Sequence, residues 1–198
     1  MCGGEGSRFA GDVEKPLFRV DDVPMVDRVC DALAASRVEE VYAAISPNAP
    51  GTRTHLAARP DVTTVETPGE GYVADLGVAI DAAGGEPLLT VAADLPLLAS
   101  GPVDRALDVA TTAADEAASD SPAHSLTVVV PAALKGQLGV SVDSATDGLA
   151  PTGLNVVGPE AADETLVSFD ARLAVNVNRA ADAAVAEALA GEVDGRDA

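Results

Sequence analysis

Residues 86–94 read EPLLTVAAD, a nearly unbroken apolar run that ends on an acid. A short run without polar alternation is what a central strand needs when helices cover both faces of its sheet. Outward from it, strand-like and helix-like segments alternate, which predicts an α/β fold with a mostly parallel sheet. Upstream, Val26, Val29, Cys30 and Leu33 mark one face of a helix at i, i+3, i+4 and i+7. Residues 40–46 (EVYAAIS) and 62–67 (VTTVET) predict two strands, with helices at 52–59 and 72–83. Downstream, the sequence predicts a helix over 103–118 and a strand over 126–134, then a flexible connection over 136–148. Strands at 154–157 and 172–177 and a closing helix at 180–190 complete one domain over 1–190, ahead of a frayed tail at 191–198.

The chain has 198 residues with 47% hydrophobic content, enough for one sizeable core and too much for wholesale disorder. No apolar run is long enough for a transmembrane helix. Two cysteines make neither a disulfide framework nor a Cys-based zinc site, so a reducing, cytoplasmic setting is expected. Acids outnumber cations 32 to 12, for a net charge of -20. Such a surface repels nucleic-acid phosphates. Lysine occurs twice, at Lys15 and Lys135, and aromatics make up 3%. Acids spread along the whole chain with so few lysines predict a halophilic protein, because dense salt screens self-repulsion.

Residues 3–19 read GGEGSRFAGDVEKPLFR. Gly3, Gly4 and Gly6, followed by Ser7, allow successive backbone N–H groups to converge on one anion. Arg8 supplies a fork for phosphate oxygens and Lys15 a compact point charge. The pattern is neither a Walker loop nor a clean GxGxxG, and a terminal turn with two solvated cations fits the same residues. Only Met1 and Cys2 precede the glycines, whereas a phosphate loop normally follows a buried strand that aims it. The expectation is a truncated first strand, from a start codon placed too late. A fold that truly began in the loop would leave a central strand position empty and its neighbours' backbone groups unpaired.

GGEGSRF followed by EKPL resembles the signature of nucleotidyltransferases on a glycosyltransferase-A-like Rossmann fold, the group that includes the molybdenum cofactor guanylyltransferases. SPNAPGT (46–52), TPGEGYVADL (67–76), AADLPLL (92–98), PTGLNVV (151–157) and AVNVN (174–178) then follow in order. Together they are similar to the archaeal GTP:adenosylcobinamide-phosphate guanylyltransferases, over nearly the whole chain. The resemblance implies a Rossmann-like three-layer sandwich and transfer of GMP from GTP to adenosylcobinamide phosphate in cobalamin biosynthesis. Another MobA-like guanylyl- or cytidylyltransferase, or a nucleotide-binding module without catalysis, remains the alternative. Oligomeric state is open, a homodimer included.

A phosphate nucleophile is already ionised, so this chemistry needs positioning and charge neutralisation rather than a strong base. His55 and His124 are therefore not needed and are expected at the surface. Mg²⁺ or another divalent cation is needed. Asp94, at the carboxyl end of the central strand, fits as its ligand and matches the family's metal-binding Asp, although a turn or helix-cap Asp fits the same place. Asn178, with Asn176 next, is the candidate to share the metal; turn formers fit there too. Loop residues Ser46, Asn48, Thr67, Gly69 and Gly71 are candidates for the guanine pocket, and Asp75 for a helix cap or a ribose contact. Gly153 would let a bulky corrinoid phosphate approach. Cys30 is expected in the core and Cys2 in the remnant of the first strand.

Overall fold

A computed structural model describes residues 1–2, 13–116, 122–159 and 163–194. After a 3₁₀ turn at Lys15–Leu17 come β1 (Arg19–Val20), β2 (Val23–Pro24), α1 (Met25–Ala34), β3 (Tyr42–Ile45), α2 (Pro50–Leu56) and β4 (Thr63–Glu66). The middle of the chain forms α3 (Tyr72–Ala82), β5 (Leu88–Val91), α4 (Ser100–Glu116) and β6 (Ser125–Pro131). The last part forms α5 (Ala132–Leu138), β7 (Leu149–Val157), β8 (Asp163–Val167), α6 (Ala171–Ala174) and α7 (Ala180–Asp194).

The α/β architecture holds, but the strands fall into three sheets, an antiparallel β1–β2 pair, a parallel β3–β4 pair and a mixed sheet in the order β5–β7–β6–β8, rather than one mostly parallel sheet. β3 and β4 pair parallel, as do β6 and β8. β7 lies antiparallel between β5 and β6. It is longer than the strand expected at 154–157, because the alternating burial of LAPTGLNVV begins at Leu149. Helix faces close the core as their spacing requires: Val29 and Leu33 of α1 and Val103, Ala106 and Ala110 of α4 are buried with Val91, Val128 and Leu154 of the strands. No helix among the described residues is long and apolar enough to cross a membrane.

Met1 and Cys2 lie between β3 and β5. The Met1 amine donates to Val91 O at 2.9 Å, Ala93 N donates to Met1 O at 3.4 Å, and Cys2 N donates to Ala44 O at 2.9 Å. Met1 is thus bracketed by Val91 and Ala93, which is the parallel pattern. Beside these two residues a cavity of about 420 Å³ opens, lined by Tyr42 and Ala44 on one side and Leu88–Val91 on the other. α3, apolar in sequence, keeps only Asp75 and Ala79 buried.

Residues 132–138 form α5 instead of extending the strand of 126–134 and opening a flexible loop. Ala, Leu, Lys and Gln favour helix after Pro131, and Gly139 at φ +76° ends it. Residues 172–177 are not a strand, because the Asp170 side chain accepts from Arg172 N at 2.9 Å and caps the short α6. The strand at 163–167 was not expected, and α7 extends to Asp194, past the expected start of the tail.

Candidate active site

The carboxyl ends of β3, β4 and β5 face one cavity of about 530 Å³, the place where open α/β sheets hold ligands. Lys15, Asp94, Asn48, Gly69, Gly71 and Gly153 line it, together with Tyr72, Asp75, Thr90 and Asn155. Ser46 and Thr67 do not line it; both are buried. Gly3, Gly4, Gly6, Ser7 and Arg8 fall outside the described residues.

Lys15 reaches the cavity because its neighbour is anchored. The Glu14 carboxylate accepts from Gly51 N and Thr52 N, both at 2.7 Å, and from Thr52 Oγ1 at 2.6 Å, so it caps the amino end of α2. Burial pushes the Glu14 carboxyl up, but these hydrogen bonds outweigh it and hold the group below the usual carboxylate range. Pro16 is buried next to it. The stretch EKP therefore ties one residue down, projects the next and packs the third.

Lys15 Nζ donates to Asp94 Oδ2 at 2.7 Å and to Asn178 Oδ1 at 2.6 Å. The other carboxylate oxygen, Asp94 Oδ1, accepts from Asn176 Nδ2 at 3.1 Å. Asp94 O also accepts from Val177 N at 2.9 Å, so the stretch Val175–Asn178 is stitched along Asp94. Asp182 fixes the far end of this stretch. Its carboxylate accepts from Asn178 N, Arg179 N, Ser141 N and Ser141 Oγ at 2.8–3.0 Å. Burial raises the Asp182 pKa, and these four bonds more than offset it, leaving the group below its ordinary value.

Two neutral or anionic oxygens, Asp94 Oδ2 and Asn178 Oδ1, thus surround a single cationic atom. That donor set suits a hard divalent cation that takes its remaining ligands from phosphates and water. Among the described residues no cluster of three or more His, Cys, Asp or Glu is arranged as a metal cage. Asn176 differs from Asn178: its oxygen accepts from Lys135 Nζ at 2.8 Å, so only its amide nitrogen faces Asp94.

The remaining candidates divide. Asp75 neither caps α3 nor points at open solvent; it is buried and accepts from Gly69 N at 2.8 Å, shaping the loop at φ +73°. Gly153, at φ +84°, lets β7 press on β5, since a Cβ there would stand 2.9 Å from Ala92 Cβ. His55 lies at the edge of the fold against Asp27 Oδ2 at 2.8 Å. His124 is buried, not superficial. It immediately precedes β6, and its backbone N–H donates to Ala110 O of α4 at 3.1 Å. Cys30 is a core thiol, pushed up to about 11 by burial, and Cys2 is buried in the gap beside β3. Glu14, Lys135 and Asp182 were not anticipated. For Lys135 the available signal was the scarcity of lysine.

The family described as MobA-like NTP transferase domain matches residues 1–140. The adenosylcobinamide-phosphate guanylyltransferase of Methanocaldococcus jannaschii is 31% identical over 195 residues, spanning 96% of this chain and 94% of that protein. Among solved structures, one assigned as a glucose-1-phosphate thymidylyltransferase from Bacillus anthracis superposes with a TM-score of 0.67. It is 12% identical and covers 96% of this chain and 92% of its own, a likeness of fold alone.

Proposed function

Because this chain belongs to the MobA-like NTP transferase family, we propose that it is the guanylyltransferase that moves GMP from GTP to adenosylcobinamide phosphate. A phosphate oxygen of the acceptor bonds to the α-phosphorus, the bond from that phosphorus to the β-phosphate bridging oxygen breaks, and pyrophosphate leaves. The observation that carries this reading is the near full-length similarity to an adenosylcobinamide-phosphate guanylyltransferase. Lys15 and Asp94, which line a nucleotide-sized cavity, and Asn178, which meets Lys15, are consistent with it.

In this reading Lys15, with Arg8 and the glycines Gly3, Gly4 and Gly6 and Ser7, neutralises and orients the triphosphate. Asp94 and Asn178 hold a divalent cation, Mg²⁺ in the simplest case. When bound, that ion supplies charge neutralisation to the phosphates and the departing pyrophosphate. Asn48, Gly69 and Gly71, placed around the cavity, face the base, with Ser46 and Thr67 supporting them. No group with a perturbed pKa is needed as a base, since the acceptor phosphate arrives ionised.

With a net charge of -20, the assay is run in molar KCl, where self-repulsion is screened. The test is pyrophosphate release in that buffer with GTP, ATP or CTP, and with cobinamide phosphate or molybdopterin as acceptor. Release that requires GTP and cobinamide phosphate supports the reading. Release that requires molybdopterin and ignores cobinamide phosphate overturns it.

A further inference from the structure

Lys135 is one of two lysines in the chain, and only 3% of it is exposed. A buried ammonium is costly unless its hydrogens find acceptors. Its Nζ donates to Ala174 O at 2.9 Å and to Asn176 Oδ1 at 2.8 Å. Burial pushes its pKa down, while the charges of Asp94, Asp182 and Asp143 pull it up; burial prevails. The cation thus sits behind the candidate active site, out of reach of the cavity, and touches Asp94 only through Asn176.

Asn176 has one acceptor end and one donor end. Its Nδ2 donates to Thr152 O at 2.8 Å and to Asp94 Oδ1 at 3.1 Å. In the reversed orientation its oxygen would face a carbonyl and a carboxylate, and its NH₂ would face an ammonium. Thr152 O and Asp94 alone favour one orientation; a cation at the opposite end makes the reverse costly on both sides. The result is a one-way chain from Lys135 to Asn176 to Asp94. It occupies Oδ1 and leaves Oδ2 to Lys15, which lines the cavity with Asp94.

We propose that Lys135 is a positioning residue: through Asn176 it fixes the carboxylate of Asp94 so that Oδ2 faces the incoming cation. The proposal rests on the reading of Asp94 as a metal ligand for its consequence, but not for its geometry. Lys135 touches neither substrate nor metal, and its effect passes entirely through the Asn176 carboxamide.

The test uses the full chain without nucleotide, in molar KCl, with Lys135→Met and Asn176→Ala. Two quantities are read: hydrogen exchange of the Asn176 side-chain amide by ¹⁵N NMR, and the affinity for Mn²⁺ alone by electron paramagnetic resonance. In folded Lys135→Met, the Asn176 amide loses its protection and Mn²⁺ affinity falls roughly tenfold. Asn176→Ala produces the same fall, and the double variant adds no more. A folded Lys135→Met that keeps both the protected amide and Mn²⁺ affinity within twofold overturns the proposal. If Lys135→Met fails to fold, Asn176→Ala decides: unchanged Mn²⁺ affinity overturns it. A wild-type chain that binds no Mn²⁺ counts against the metal reading of Asp94, and the amide protection then decides the role of Lys135 separately.

Discussion

Lys15 and Asp94, 79 positions apart in sequence, meet at 2.7 Å between Nζ and Oδ2, and the same ammonium lies 2.6 Å from Asn178 Oδ1. Each residue is about one-fifth exposed. The cation that the chain itself provides therefore stands between the two oxygens proposed to hold a metal. A divalent ion and Lys15 compete for those oxygens, and a triphosphate gives Lys15 a second partner to move to.

Lys15→Met tests this competition. Removing the ammonium spares an incoming ion the breaking of a charge-assisted hydrogen bond, so Mn²⁺ is predicted to bind the nucleotide-free protein roughly tenfold tighter. The same variant is predicted to lose on the order of 10²–10³ in the rate of pyrophosphate release, because a cation aimed at the phosphates is gone. Metal titration and steady-state rates check the two halves separately. Unchanged Mn²⁺ affinity contradicts the shared position.

Glu14→Ala removes the carboxylate that caps α2 and anchors Lys15. Stability is predicted to fall by about 1 kcal/mol, the usual value of a lost cap. The KM for GTP is predicted to rise as Lys15 loses its tether. Chemical denaturation and initial rates measure both. A variant with lower stability and unaltered KM separates the cap from the site.

Asp182 makes stability depend on acid. Its folded-state pKa lies below the ordinary carboxylate value. Its contribution is thus fully present above the unfolded value of about 4 and is lost as pH falls through the folded one. Asp182→Asn is predicted to be less stable at neutral pH by about 1–3 kcal/mol, having lost a buried acceptor. Its stability is predicted to decline less steeply than wild type below about pH 4. Denaturation midpoints between neutral and acid pH read the difference; parallel curves contradict it.

Gly153→Ala places a methyl group 2.9 Å from Ala92 Cβ on a backbone at φ +84°. The substitution is predicted to cost about 1–3 kcal/mol and to part β7 from β5 beneath Asp94. Denaturation of the purified variant checks this, and wild-type stability would show that the close approach is not required.

Much of this architecture was legible in the sequence. EPLLTVAAD revealed β5 and placed Asp94 just past its carboxyl end, because a nearly continuous apolar run marks a strand inside the fold, although Leu88 and Leu89 are only partly buried. Lys15 stood out through scarcity and proximity to glycines, whereas its contact with Asp94, 79 positions away, is visible only in the tertiary fold. Residues 132–138 and 171–174 were misread because short apolar runs carry no decisive period, and the Asp170 cap acts over only two residues. Asp182 and Lys135 were not legible as parts of the site. They lie on helices remote in sequence and act through hydrogen bonds that only the tertiary fold brings together.

The central claim is guanylyl transfer at the Lys15–Asp94 pair. It is tested most directly by following the α-phosphate label of GTP into a corrinoid product, in molar KCl with Mg²⁺, for wild type and Asp94→Asn. The account predicts labelled adenosylcobinamide-GDP and pyrophosphate in equal amounts from wild type, and a rate lower by on the order of 10³ in a folded Asp94→Asn. Label that never reaches cobinamide phosphate, or equal transfer by Asp94→Asn and wild type, would contradict it.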